Sequence, residues 1–236
     1  MVRTILVTGS NQGLGMHTVH QLGSTPDIVV FMGSRKLAAA EEALSKFAAD
    51  VHSSSTVVPV QLDITDASSI KAAHAFVSDF LKERGITSLD VLVNNAGIFV
   101  PSIEETYAVN VFGTVAVTEA FRTLLSKGGT IINISSGFGS IASYPKRPKP
   151  VVLLPGYSSS KAALNMLTVQ WAMQEEEKGS GISVVSICPG FNATNLSNYA
   201  EAAKSPADGC KIIVKTALEK EGRTGVFFNE DRDLEW

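Results

Sequence analysis

Tyr157-Ser158-Ser159-Ser160-Lys161 sets a phenol and an ammonium four residues apart. On a helix these positions share a face, and a nearby cation favours phenolate, lowering its pKa toward working pH. Tyr157 is therefore a candidate general acid or base for a carbonyl–alcohol pair. Upstream, Ile134-Ser135-Ser136 ends an apolar run, and a hydroxyl there can hold a substrate oxygen as a neutral oxyanion-type donor. Successive strand residues face opposite sides, so only one of the two serines is expected to serve. Asn110 interrupts the apolar stretch Val109-Asn110-Val111-Phe112. An amide at that place requires a network that satisfies it.

A second set of residues points to an anionic ligand. Thr8-Gly9-Ser10-Asn11-Gln12-Gly13-Leu14-Gly15 follows an apolar run and precedes a helical stretch. Glycines there let backbone approach a pyrophosphate, and a helix N-terminus offers it free N–H groups. The spacing is G-x-x-x-G-x-G rather than G-x-G-x-x-G, but the strand–turn–helix placement is that of a dinucleotide site. The second apolar run ends Met32-Gly33-Ser34-Arg35-Lys36, without the acid that would hold the ribose of NAD. An arginine there suits the 2′-phosphate of NADP through two parallel hydrogen bonds; the other reading is a solvent-facing helix-start residue. Asp63, at the end of the third run, accepts from an adenine amino group, or else Asp66 or Thr65 only caps the next helix. Asn94-Asn95-Ala96-Gly97 ends the fourth run, either for close cofactor approach or as a turn.

The elements that must position these groups alternate along the whole chain. Apolar runs at 5–7, 28–32, 57–61, 89–93, 130–134, 182–187 and 225–228 are separated by helical patterns, among them 13–22, 37–49, 67–82 and a long helix over 157–177. Strand and helix in alternation imply a parallel sheet covered on both faces, and right-handed crossovers make it doubly wound. The expected fold is thus α/β with about seven strands. No linker divides the 236 residues, so one domain is expected to carry both cofactor and substrate sites. The stretch 137–156 holds Pro145, Pro148, Pro150 and Pro155 and reads as a surface loop. Its basic residues Lys146, Arg147 and Lys149 either serve an anionic substrate or are simply solvated.

Composition excludes several classes. With 44% hydrophobic and 18% charged residues the chain is not disordered. Lys plus Arg is 20 against 23 Asp plus Glu, a net charge of −3, which argues against a nucleic-acid or anionic-membrane binder. No apolar run reaches the ~20 residues that span a bilayer, and the first strand begins too early for a signal peptide. Cys188 and Cys210 make neither a CxxC nor a zinc cluster and fit a reducing compartment. His17, His20, His52 and His74 fall in no metal-binding spacing, so no metal is expected and a cytoplasmic location is.

Taken in order, Thr8-Gly9-x-x-x-Gly13-x-Gly15, Asn94-Asn95-Ala96-Gly97, Asn110, Ser136, Tyr157-x-x-x-Lys161 and Pro189-Gly190 resemble the short-chain dehydrogenase/reductase family over nearly the whole chain. The tail segments Ser205-Pro206-Ala207-Asp208-Gly209 and Thr224-Gly225-Val226-Phe227-Phe228 resemble its carbonyl-reductase branch. The resemblance implies a Rossmann-type fold and an NADPH-dependent reductase of aldehydes or ketones, reversible with the alcohol. It implies that Tyr157 exchanges the proton, Lys161 lowers its pKa and binds the nicotinamide ribose, Ser136 orients the carbonyl, and Asn110 holds a water linking Lys161 to solvent. Gly9, Asn11, Gln12, Gly13, Leu14, Gly15, Ser34, Arg35, Asp63, Ile64, Asn95, Ala96, Gly97, Pro189, Gly190 and Thr194 are then the expected cofactor contacts. Three departures stand out: a short segment between Gly97 and Asn110, a long one between Ser136 and Tyr157, and Asn11-Gln12 where the branch often carries a second basic residue. Phe138, Phe191, Leu196 and Tyr199 line an apolar substrate pocket or belong to the core. The apolar Tyr157 helix suits a homodimer or homotetramer, or a monomer whose extra loop covers it. The rival readings are an NAD-linked alcohol or hydroxysteroid-type dehydrogenase and a non-catalytic NADP-sensing protein.

Overall fold

Seven apolar runs form seven strands: β1 (Arg3–Val7), β2 (Ile28–Ser34), β3 (Thr56–Gln61), β4 (Leu89–Asn94), β5 (Leu125–Ile134), β6 (Ser183–Ile187) and β7 (Val226–Phe228). They make one parallel sheet in the order β3-β2-β1-β4-β5-β6-β7. The fold class read from the sequence is the one observed, in a computed structural model that describes residues 2–147, 154–219 and 222–236.

The strands read as unbroken apolar runs because both faces are covered. On one face Ile5, Val30, Val91, Ile132 and Val185 pack against α1 (Gly13–Gly23), α2 (Leu37–Ser45) and α8 (Lys211–Leu218), through Leu22, Ala43 and Ile213. On the other, Leu6, Phe31, Leu92, Ile131 and Val184 meet α3 (Ala67–Glu83), α5 (Thr114–Phe121) and α6 (Pro155–Lys178), through Val77, Phe121 and Trp171. Asp66 caps α3, accepting from the Ser68 N–H. That cap is made by Asp66 and leaves Asp63 outside it.

Between β4 and α5 lie α4 (Ile103–Tyr107) and a single wide π-helical turn, Ala108–Gly113, which contains Asn110. Such turns interrupt α-helices, frequently at functional sites. Two short helices, α7 (Pro206–Gly209) and α8, precede β7.

The second face also carries a row of polar side chains. Asn94, Asn133 and Ser186 are in-register neighbours on β4, β5 and β6, all buried. Asn94 Nδ2 donates to Thr118 Oγ1 of α5 at 2.8 Å and to Asn133 Oδ1 at 2.9 Å. Asn133 Nδ2 donates to Thr168 Oγ1 of α6 at 2.8 Å. Thr168 gives its own proton to the Leu164 carbonyl, so Ser186, 2.8 Å away, is the donor in its contact with Thr168. Apolar contacts tolerate sliding, whereas directional bonds fix register; this row ties α5 and α6 to the three strands that end at the site.

Several boundaries differ from the sequence reading, among them the end of α2, at Ser45 rather than 49. β5 begins at Leu125 rather than 130. α6 begins at Pro155 rather than at Tyr157, so Pro155 and Gly156 are helical and not loop. Proline suits a first helical turn, where its missing N–H has no partner to lose. The rest of the 137–147 stretch forms two single 3₁₀ turns, Gly137–Gly139 and Tyr144–Lys146. Pro148, Lys149 and Pro150 of the expected loop lie outside the described residues.

Candidate active site

The strand order reverses between β1 and β4, and in doubly wound sheets ligands bind in the crevice at the carboxyl ends of such a pair. Hydrogen bonds hold this crevice in shape. Thr8 Oγ1 accepts from the Asn95 and Ala96 N–H groups at 3.1 and 3.0 Å. Asn95 Nδ2 donates back to the Thr8 and Gly9 carbonyls at 2.9 and 3.0 Å. Gly9 has φ +60°, and a Cβ there would stand 2.7 Å from Ala96 Cα, so the two turns touch backbone to backbone only because the residue is glycine. Asn95 thus shapes the Gly-rich turn through its side chain.

The crevice fits an anionic dinucleotide. α1 starts without a side-chain cap and without an acid in its first turn, leaving its N–H groups to a ligand. Asn11, Gln12 and Leu14 stand at this turn, and Gly15 is buried beneath it. At the end of β2, Ser34 is buried and accepts from the Lys36 N–H. Arg35 is exposed and forms no ion pair among the described residues. Asp63 Oδ1 accepts from the N–H and hydroxyl of Thr65, and Ile64 is buried beneath Gly113. Across the crevice Asn192 Nδ2 donates to the Pro189 and Gly190 carbonyls at 3.1 and 2.9 Å, fixing the turn after β6. From there the chain leans over the Gly-rich turn. Thr194 Cγ2 lies 3.3 Å from where a Gly13 Cβ would be, and Asn195 Nδ2 donates to Gln12 Oε1 at 2.8 Å.

The four chemical residues meet at the end of β5. The two serines separate as strand alternation requires. Ser135 is buried and donates to Asn165 Oδ1 of α6 at 2.6 Å. Ser136 Oγ accepts from the Phe138 N–H at 3.2 Å and contacts the Tyr157 phenol. Lys161, one turn beyond Tyr157 and buried, donates from Nζ to the Ile134 carbonyl at 2.7 Å. Phe99 packs edge-on against the Tyr157 ring at 5.6 Å.

One expectation changes here. Burial pushes the Tyr157 phenol up, to about 12, and the nearby Ser136 hydroxyl only partly opposes this. Burial pushes the Lys161 amine down, to about 8. The ammonium stands 5.9 Å from the phenol ring centroid and is turned to the Ile134 carbonyl. Desolvation therefore outweighs the cation's pull, and the phenol stays protonated at neutral pH. Asn110, expected to hold a water that links Lys161 to solvent, is bonded through both ends of its side chain. Oδ1 accepts from the Ile98 N–H at 2.8 Å; Nδ2 donates to the Ile98 carbonyl at 2.9 Å and to Ser160 Oγ at 3.1 Å. It thereby fixes the backbone beside Gly97, whose Cβ position lies 3.5 Å from Lys161 Nζ.

Cys188 is the residue the sequence reading overlooked. Its Sγ accepts from the Gly137 N–H at 3.2 Å, and its field reaches both Tyr157 and Lys161. Its place directly before Pro189-Gly190 was the available signal. Of the expected apolar pocket, Phe191, Leu196 and Tyr199 are exposed, whereas Phe138 is half-buried.

Residues 3–205 match the family model described as short chain dehydrogenase. The chain belongs to the short-chain dehydrogenase family. Among its relatives is the short-chain dehydrogenase anuI of Penicillium roqueforti, 36% identical over 232 residues, covering 91% of this chain and 88% of that protein. Carbonyl reductase [NADPH] 1 of Macaca fascicularis is 30% identical over 282 residues, covering 100% and 99%. The crystal structure of NADPH-bound carbonyl reductase from chicken fatty liver superposes with a TM-score of 0.82 at 31% identity, covering 100% and 99%. These likenesses place this short-chain dehydrogenase in a carbonyl-reductase-like branch, as its motifs and tail segments suggested. No helix of the described residues is long and apolar enough to cross a membrane.

Proposed function

We propose that this oxidoreductase is an NADPH-dependent reductase of aldehydes or ketones, reversible with the alcohol, in which Tyr157 is the general acid and base. The observation that carries the reading is the meeting of Tyr157, Ser136 and Lys161 at the end of β5. The crevice between β1 and β4 would hold the dinucleotide, with Arg35 on the 2′-phosphate, the start of α1 and Gly9–Gly15 on the pyrophosphate, and Thr194 closing over it. The outer Asp63 oxygen and Ile64 would flank the adenine, and Asn95, Ala96, Gly97, Pro189 and Gly190 would line the remaining path. Bound there, the nicotinamide supplies the hydride.

The chain's own groups supply the rest. Ser136 Oγ already accepts a backbone N–H, so its proton is free to be donated to a carbonyl oxygen. A phenol held near 12 is a proton donor at neutral pH. As the carbonyl oxygen gains charge, Tyr157 gives it that proton. The phenolate formed is stabilised by the Lys161 ammonium, which the Ile134 carbonyl holds in place. In the reverse direction the same phenolate takes the alcohol proton. One domain carries both sites, and a cytoplasmic enzyme follows from the same reading. Met166 and Met173 are exposed on α6, which suits pairing of that helix in a homodimer or homotetramer.

The test is loss of NADPH fluorescence on adding a panel of aldehydes and ketones to the purified protein, with NADH in parallel. Turnover with NADPH and a weaker rate with NADH are expected. Binding of NADPH without turnover of any carbonyl would instead point to a sensing protein.

A further inference from the structure

Arg147 stands beside the site with a buried Nε that no described residue accepts from. It follows the Tyr144–Lys146 turn. Its guanidinium carbon lies 4.1 Å from the Phe138 ring centroid and 5.2 Å from that of Tyr144. Nη2 is 3.6 Å from the position of a Cβ on Gly137, the residue after Ser136, and Cys188 Sγ is 3.9 Å from that same point. The group is therefore beside the turn that follows the Ser136 hydroxyl. The Tyr144 hydroxyl under it accepts from Ser158, next to Tyr157.

The guanidinium is held by rings but not matched by charge. Nε is fully buried and has no hydrogen-bond partner among the described residues. Among the described residues no carboxylate pairs with Arg147, whereas its neighbour Lys146 pairs with Glu235 at 2.6 Å. Nor does Lys161 pair with one; its bond is to a carbonyl. A buried N–H without an acceptor is costly, and stacking on two rings satisfies none of it. Nε–H and Nη2–H form one edge of the planar guanidinium, the edge that grips both oxygens of a carboxylate. That edge is the one beside Gly137.

We propose that Arg147 is a specificity-determining residue that receives the carboxylate of an oxo-acid substrate, the carbonyl lying at Ser136 and Tyr157. The proposal rests on the reductase reading and adds the substrate class: aldehydes or ketones that carry a carboxylate. Lys146 is not part of it, being paired on the surface. The ring contacts with Phe138 and Tyr144 orient the guanidinium in advance, so little freedom is lost on binding.

The experiment compares 2-, 3- and 4-carboxybenzaldehyde with their methyl esters, using the NADPH-loaded enzyme and its Arg147→Gln and Arg147→Met variants. The wild type is expected to prefer at least one free acid over its ester in kcat/KM. Both variants are expected to lose about ten- to a hundredfold on that acid, the scale of a charge-assisted contact, with the ester rate and NADPH affinity unchanged. Arg147→Met keeps apolar packing over Phe138, so a shared loss is not a folding defect. An acid-to-ester ratio that is the same in wild type and variants overturns the proposal. So does a wild type that prefers every ester. Calorimetric titration with benzoate and with methyl benzoate gives a second readout that needs no turnover. Tighter benzoate binding by the wild type, lost in both variants, is expected; equal binding by all three proteins overturns the carboxylate site. If esters and acids alike go unreduced while benzoate still discriminates, the reductase reading fails and the anion site stands.

Discussion

The Lys161 ammonium donates to the Ile134 carbonyl at 2.7 Å, and this bond joins the catalytic helix α6 to the strand that presents Ser136. It also has a cost. Burial lowers the amine to about 8 from 10.5, so the folded protein binds this proton more weakly than the unfolded chain. The penalty is full below the folded value and is relieved as pH rises from about 8 to 10.5, because the unfolded chain then binds more protons. Stability of the wild type relative to Lys161→Met is expected to rise through that window, by on the order of 3 kcal/mol in all. Urea denaturation of both proteins across the window measures it; parallel curves would contradict the buried charge. In the reductive direction, activity is expected to fall above about pH 8 as the ammonium is lost, while the phenol near 12 remains protonated.

Arg35 is exposed at the end of β2, where the crevice would receive the ribose nearest the adenine. Arg35→Ala is expected to weaken NADPH about ten- to a hundredfold, the range of a charge-assisted hydrogen bond, and to leave NADH nearly unchanged. Equilibrium titration of each dinucleotide checks this. An unchanged ratio of the two affinities removes Arg35 from the phosphate site.

Gly139 packs directly on α6. A Cβ there would stand 2.7 Å from the Lys161 backbone carbon, so Gly139→Ala must part the 137–139 turn from the helix. Overpacking of this kind costs about 1–3 kcal/mol. Because Ser136 opens the turn and Tyr157 and Lys161 lie on the helix, kcat is expected to fall more than NADPH affinity does. Thermal melts, together with steady-state kinetics and cofactor titration, separate the two effects.

Much of this was legible in the residues, for a physical reason. Strands buried on both faces, such as Val29–Met32 within β2, read as plain apolar runs, and turn chemistry such as Gly9 marks where they end. Helical spacing, a local rule, paired Tyr157 with Lys161, and strand alternation said that one of two serines faces the site, but the family resemblance was needed to choose Ser136. What escaped notice depends on partners far along the chain. The row Asn94, Asn133, Thr168 and Ser186 exists only once register brings three strands together. The direction of the Tyr157 shift depends on desolvation, which spacing does not record. Cys188 reaches Gly137 across 51 positions, and Arg147 reaches that glycine only through the folding of its own loop.

The central claim is that the Tyr157 hydroxyl delivers the proton to the carbonyl oxygen. Tyr157→Phe removes that oxygen and keeps the ring that packs against Phe99. The decisive measurement is kcat/KM for NADPH-dependent reduction of one good aldehyde by the wild type and by this variant, alongside NADPH affinity. The account predicts a loss of about 10²–10⁴-fold, the usual worth of a positioned general acid, with NADPH affinity within a few-fold. A variant that reduces the aldehyde at the wild-type rate contradicts it.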